Sequence, residues 1–418
     1  MSGAALAAPQ NLTPTNETPE THSTDEIPAL HIDQTEPLVA PPPAIGTLTK
    51  WRYYAGLAFR YYFAEPALAK RIRKVGAEEA EKNPPWLARW AERGKRSLLA
   101  KIKKQVEHQK GGFVREVPHV LPEDVTPETF RKFHVAHSPV VLKGFMKDTG
   151  AVEKWTLPWF RDNYGDERVR AAKTKEGMFF RGDPGLDIRF GEGIERMLSG
   201  ERIYMFGYSD VLINNPELVK DDLDIKRLSG LCNPKYAVTA TDDPFGVQLF
   251  IGGPRSGTSM HCASATNLFM MIHGTKKWTL APPPYTPYLD PVLHPDAIYC
   301  DSPIDIRKSQ EELDEEGYEL WRHTPRYEAH LEPGDVLFNP GWWWHWVDNT
   351  SDTSLAVGHR FLSNKIMAGN PYLQSMVMAN FHACKVLFSW MFFNKRATDA
   401  DILNRLFPSE HADPKKKS

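Results

Sequence analysis

The chain has only four cysteines in 418 residues, Cys232, Cys262, Cys300 and Cys384, and no two of them stand at CxxC spacing. That scarcity argues against a zinc ribbon, a thioredoxin-like motif or a disulfide scaffold, and it fits a reducing compartment. No uncharged apolar run approaches the roughly 18 residues needed to span a bilayer, and the N-terminus shows neither an apolar signal core nor an Arg-rich leader. A cytoplasmic or nuclear protein without a transmembrane segment is expected. Charge of one sign is also missing: 51 Lys and Arg against 53 Asp and Glu give a formal net charge of -2, so any affinity for a polyanion must be local. What is present, 41% hydrophobic and 25% charged residues, suits one large globular domain with appendages or two modest domains.

Residues 1–48 are rich in Pro, Thr, Ala and Glu and poor in aromatics, which predicts a disordered tail, since too little surface can be buried to offset ordering entropy. Over residues 49–112 the texture turns basic and helical: Lys and Arg outnumber Asp and Glu by about ten, and Trp51, Tyr54, Leu57 and Tyr61 recur at helical spacing. Asn83-Pro84-Pro85 divides this segment, because the residue before a proline is pushed out of helical geometry. Amphipathic helices packed on the main domain would explain it. Clusters such as Lys70-Arg71-Ile72-Arg73-Lys74 and Lys101-Ile102-Lys103-Lys104 also suit, as the alternative, an acidic partner, nucleic acid or anionic lipid.

Residues 113–366 read as the main domain. Phe113–Pro118 and Ser138–Gly144 look like short strands, and Thr126-Pro127-Glu128 is a capped helix start. The stretch from Trp155 to Gly230 shows no motif that speaks to chemistry and is expected to support the rest. From Phe245 to Phe361, β-branched and aromatic runs alternate with Gly, Pro, Asn and Asp, the texture of strand after strand. Residues 367–418 carry Met376, Phe381, Val386, Leu387, Trp390 and Phe393, too apolar for a solvated helix, so C-terminal helices should pack on the domain or form a homodimer interface.

The strand-rich part holds the chemistry-bearing blocks. The first runs Gly257-Thr258-Ser259-Met260-His261-Cys262-Ala263 and on to Asn267 and Phe269; the second is His273-Gly274-Thr275-Lys276-Lys277-Trp278. Far downstream comes Pro333-Gly334-Asp335-Val336-Leu337-Phe338-Asn339-Pro340-Gly341-Trp342-Trp343-Trp344-His345. His261 and His345 are candidate metal ligands, or else buried imidazoles satisfied by backbone. Alternation along a strand lets only one of Lys276 and Lys277 face inward. The tryptophan run should alternate faces and serve mostly as packing.

These blocks, with the earlier Ser138–Phe145 stretch, resemble the JmjC/cupin-like oxygenases that use Fe(II) and 2-oxoglutarate, among them the asparaginyl hydroxylase that inhibits hypoxia-inducible factor, over about residues 113–365. The resemblance implies a mainly β fold with α additions: a double-stranded β-helix, or jelly-roll, flanked by N-terminal and C-terminal helices. It also implies an HxD pair and a distal His as metal ligands. Side chains at i and i+2 share one face of a strand, so both members of that pair reach one ion. The matching positions are His261, Ala263 and His345, so the carboxylate is missing, and Cys262 at i+1 should face the other way. Thr258, Asn267 and Lys276 fall where the family contacts 2-oxoglutarate, with Lys276 paired to the distal carboxylate. Arg360 stands where the family usually has a polar residue such as Asn. Both changes move the site toward positive charge and favour an anion.

Three readings follow from the resemblance. An Fe(II)/2-oxoglutarate-dependent oxygenase would act on a protein or small-molecule substrate, with another group in the carboxylate's place, Asp242 or Asp243 being candidates. A halogenase-like enzyme would bind chloride at iron beside Ala263, with Arg360 stabilising the halide. A non-catalytic barrel would keep the fold for binding alone.

Overall fold

The computed structural model describes residues 35–109, 111–173, 178–179, 185–208, 210–233, 235, 246–294 and 298–380. Asp242, Asp243 and the C-terminal run after Asn380 lie outside the described residues. Eight strands build the centre: β1 (Val247–Gly252), β2 (Gly257–Ala263), β3 (Thr266–His273), β4 (Lys276–Ala281), β5 (Arg326–Leu331), β6 (Val336–Asn339), β7 (Trp344–Asn349) and β8 (Ser354–Phe361). They form two antiparallel four-stranded faces in the orders β5-β4-β7-β2 and β6-β3-β8-β1. This is the jelly-roll arrangement, two sheets whose inner faces enclose a common interior.

Both faces of both sheets are covered, which is why a strand such as β3 reads Leu-Phe-Met-Met-Ile with hardly a polar interruption. On the outside of the second sheet, Leu268, Met270 and Ile272 pack with Phe130, Phe133, Trp155 and Phe160 from the helices between residues 127 and 231. On the outside of the first sheet, Met260, Cys262, Trp344 and Trp346 pack with Tyr53, Tyr54, Leu57 and Ile102 of the N-terminal helices. The C-terminal helix Pro371–Ala379 joins that layer, and Tyr372 stacks on Tyr54 at 4.3 Å. The interior holds Phe250, Phe269, Met271, Trp278, Leu280, Leu337, Val347 and Ala356.

The segment from Thr35 to Gly46 differs from the expected disordered tail. Leu38 donates its N–H to Ser138 Oγ at 2.8 Å, Pro41 O accepts from Tyr285 Oη at 3.1 Å, and Ile45 is buried with the N-terminal helices. Two apolar anchors and stiff prolines lower the ordering cost enough for this stretch to lie on the domain. The stretch from Trp155 to Gly230 is also more than cover: Ile203–Tyr208 pairs with β1 and extends the second sheet. Among the described residues, no helix is long and apolar enough to cross a membrane.

The turn before β6 shows what the Pro-Gly-Asp block does. Gly334 sits at φ +93°, and a Cβ there would lie 2.6 Å from the Cα of Lys147. Asp335, buried, accepts from the backbone N–H of Gly144 at 2.8 Å and of Glu332 at 2.9 Å, and pairs with Lys143 at 2.5 Å. Gly334→Ala therefore combines left-handed strain with a backbone clash. A loss of about 3 kcal/mol in denaturant unfolding is expected.

Candidate active site

β2 and β7 place the two histidines side by side. His261 is the ladder partner of His345, and their rings lie 4.1 Å apart between centroids. Each ring is oriented by its own strand: His261 Nδ1–H donates to Ser259 O at 2.8 Å, and His345 Nδ1–H to Trp343 O at 2.9 Å. A carbonyl can only accept, so both rings carry a proton on Nδ1, which in the neutral imidazole leaves Nε2 as the lone pair that a metal needs. Burial pushes the pKa of His345 down to about 4, which the bond to Trp343 opposes and the charge of Arg360 assists. Trp278 stacks on His345 at 5.0 Å and 21°, so it, rather than a member of the Trp342–Trp344 run, is the ring against the histidines.

Ala263 offers nothing to a metal, and Cys262 points into the outer core with Met260 and Cys300. Among the described residues, no three of His, Cys, Asp and Glu come together. The strand Tyr299–Asp301 pairs antiparallel with β2, setting Asp301 opposite His261 and Tyr299 opposite Ala263. Opposed residues of a ladder share a face. An acidic and a phenolic side chain therefore flank the position where the carboxylate is missing.

Asn267, Asn339 and Arg360 form one row, since Asn267 is the partner of Asn339 on β6 and of Arg360 on β8. Arg360 donates from Nη1 to Tyr299 Oη at 2.6 Å and lies 5.9 Å from the centre of the Phe250 ring. Asn267 Oδ1, Asn339 Oδ1, Trp278 Nε1 and Arg360 Nε are buried without a hydrogen-bond partner among the described residues. Unsatisfied buried polar atoms are uncommon, and a row of them in a barrel interior marks a place built for a polar ligand.

Lys276 lies deeper. It is 1% exposed, donates to Asn349 Oδ1 and, at 2.9 Å, to Ser354 Oγ, and sits 5.7 Å above the Tyr204 ring. Asn349 in turn donates to Ser256 Oγ at 2.6 Å. All these partners are neutral, and burial pushes the Lys276 pKa down to about 7. Its neighbour Lys277 faces outward and pairs with Glu328 at 2.8 Å. Thr258 reaches the interior face through a bulge: the ladder slips between His345 and Val347, so Thr258 and His261 oppose residues of the same face although three positions apart.

The sequence-predicted residues Thr258, His261, Asn267, Lys276, His345 and Arg360 therefore all line one barrel interior. Tyr204, Trp278, Tyr299, Asp301, Asn339 and Ser354 were missed as site residues. Period-2 alternation from Lys276 could have found Trp278, and alternation from His345 on β7 supports Asn349. Nothing local marks Tyr204 or Tyr299, whose places depend on which strands they pair with.

A jelly-roll with a histidine pair and a buried lysine in its interior defines a class, and residues 126–364, more than half of the chain, match the family described as a cupin-like domain. The chain belongs to that family. It is 30% identical over 250 residues to the tRNA wybutosine-synthesizing protein 4 of Neurospora crassa, covering 58% of this chain and 20% of that protein. It is 26% identical over 249 residues to the arginine-specific demethylase JMJ22 of Arabidopsis thaliana, covering 56% and 43%. It is also 26% identical over 263 residues to the bifunctional arginine demethylase and lysyl-hydroxylase psr-1 of Caenorhabditis briggsae, covering 59% and 62%. In each case the chain spans less than two thirds of the relative's length.

Proposed function

We propose that the barrel is an oxygenase-type site that binds 2-oxoglutarate through Lys276 and holds Fe(II) through His261 and His345. The observation that carries this reading is the buried Lys276 ammonium with only neutral partners, a cation whose burial becomes favourable once a carboxylate arrives. The donor set suits a divalent ion at two positions, because both imidazoles are oriented and keep Nε2 as the ligand atom. Bound Fe(II) supplies the capacity to couple 2-oxoglutarate oxidation to O2. The chain's own residues do the rest: Lys276 anchors the distal carboxylate, Thr258 and Asn267 orient the chain of the oxoacid, and Phe250 and Phe269 exclude water. Among the described residues Asp301 does not join the two histidines in a metal-holding group, so the third position is left to water, the substrate or another residue.

A second reading rests on one specific contact. Arg360 and Tyr299 meet across the face of Ala263, where they can take an anion, chloride included, in place of a metal-bound carboxylate. Anaerobic reconstitution separates the two. The oxygenase reading expects Fe(II) bound in the presence of 2-oxoglutarate, weakened by His261→Ala or His345→Ala, and succinate formed on exposure to air. Binding of 2-oxoglutarate that ignores Fe(II), with no succinate, favours the metal-free barrel, and iron uptake that requires chloride favours the halogenase-like one.

The lysine also sets a pH dependence. With its folded pKa near 7 and an ordinary value of 10.5, Lys276 is largely neutral above neutrality and must take up a proton to pair with a carboxylate. Titration calorimetry at about pH 8 in two buffers of different ionisation enthalpy should register proton uptake, and affinity should fall as pH rises further.

A further inference from the structure

We infer that the N-terminal helices form a docking face for an anionic lipid bilayer, independently of the barrel's chemistry. The helix Glu65–Val75 has no buried residue, and the helix Trp86–Val106 buries only Ile102 and Val106. Both are amphipathic; Leu99, Ile102 and Val106 pack into the outer core, while Trp86 and Trp90 at the start of the second helix stay largely uncovered among the described residues. Phe63, Trp86 and Trp90 are 58%, 66% and 59% exposed, and Phe59 joins two of them, lying 5.4 Å from Phe63 and 4.7 Å from Trp90. One aromatic patch results, not scattered single residues. Its location is basic: residues 49–110 carry about ten more Lys and Arg than Asp and Glu.

Two adjoining clefts say what kind of anion suits this face. One, of about 370 Å³, is mainly apolar, lined by Leu57, Phe59, Trp90 and Leu98 with Arg52, Arg60 and the Lys95–Asp290 ion pair. The other, of about 450 Å³, is lined by Arg60, Arg89, Arg93 and Arg96. Arg60 belongs to both. Arg60 is matched by Glu65 and Arg96 by Glu92, whereas Arg89 and Arg93 have no carboxylate partner among the described residues. A hydrocarbon-lined cleft beside an arginine-lined one has the amphiphilic division of a phospholipid. A nucleic-acid strand would instead need flat aromatic faces along a basic groove, and here Phe59 and Trp90 meet edge-on at 68° and close an apolar space.

The C-terminal run follows Asn380, which donates to Tyr61 Oη at 2.8 Å. That run carries seven Lys and Arg against four Asp and Glu, so it adds positive charge and cannot neutralise the arginines. An anionic bilayer neutralises both.

Co-sedimentation of the full chain with vesicles of phosphatidylcholine, with and without phosphatidylglycerol, tests this. Partitioning should be at least about tenfold stronger with the anionic lipid and should weaken with added salt. Arg89→Ala with Arg93→Ala should lower it about 25-fold, from roughly 1 kcal/mol for each surface cation. A Cβ on Gly94, which also lines the apolar cleft, would meet nothing within 4 Å, so Gly94→Leu adds apolar area to this face and should raise partitioning while leaving 2-oxoglutarate binding unchanged. Equal partitioning into neutral and anionic vesicles, no partitioning, variants that bind like the wild type, or nucleic-acid binding with vesicles ignored would each overturn the inference.

Discussion

Lys276→Met should abolish 2-oxoglutarate binding while making the ligand-free protein more stable. The two effects have one cause. In the free protein the ammonium is buried against Asn349, Ser354 and the Tyr204 ring with no acid beside it, and burial pushes its pKa down to about 7. Because the folded pKa lies below the unfolded one, the penalty is fully present below pH 7. It fades as pH rises toward 10.5 and is gone above that. A methionine of similar length fills the volume without the charge. Melting temperature should therefore rise most at low pH, and the wild type's gain in stability between pH 7 and 10 should shrink in the variant. Binding moves the opposite way: with no cation to meet the distal carboxylate, a loss of at least about a hundredfold is expected, the scale of breaking one buried charge pair. Calorimetry of both proteins measures the two effects.

Ala263→Asp should raise Fe(II) affinity by at least about a hundredfold, since it restores an anionic ligand two positions from His261 on the same strand face. The surroundings limit the gain. Tyr299 is the ladder partner of residue 263 and holds Arg360 at 2.6 Å, so the new carboxylate meets a guanidinium as well as the metal. An Arg–carboxylate pair competes for the same oxygens. The double change Ala263→Asp with Arg360→Asn should therefore bind iron more tightly than Ala263→Asp alone. Metal content after anaerobic dialysis checks the order wild type, single, double; equal content in all three would show that Arg360 does not act on this position.

The strand-rich stretch was legible because short β-branched and aromatic runs are bounded by turns that carry Gly, Pro and Asp in the required places, as Gly334 and Asp335 show. The histidines and Lys276 were legible through the family resemblance of the blocks that carry them, with strand alternation leaving room for only one of Lys276 and Lys277 inside. Tyr204, Tyr299 and Asp301 were not, because what brings them to the site is strand pairing across 36 to 48 residues of sequence, which no local pattern encodes. Thr258 was found by resemblance alone, and only the bulge in β2 explains how it shares a face with His261. The tail was misjudged at its end for a different reason: its composition is that of a disordered segment, and two apolar anchors, the partly buried Leu38 and the buried Ile45, hold residues 35–46 on the domain.

The direct test of Lys276 as the anchor of a dicarboxylate is a calorimetric comparison of 2-oxoglutarate with 2-oxobutyrate, which keeps the oxoacid end and lacks the distal carboxylate. Tight binding of 2-oxoglutarate with proton uptake above neutral pH, and weak binding of 2-oxobutyrate without it, is the predicted result. Equal affinity for the two, with no proton taken up by either, would contradict the account.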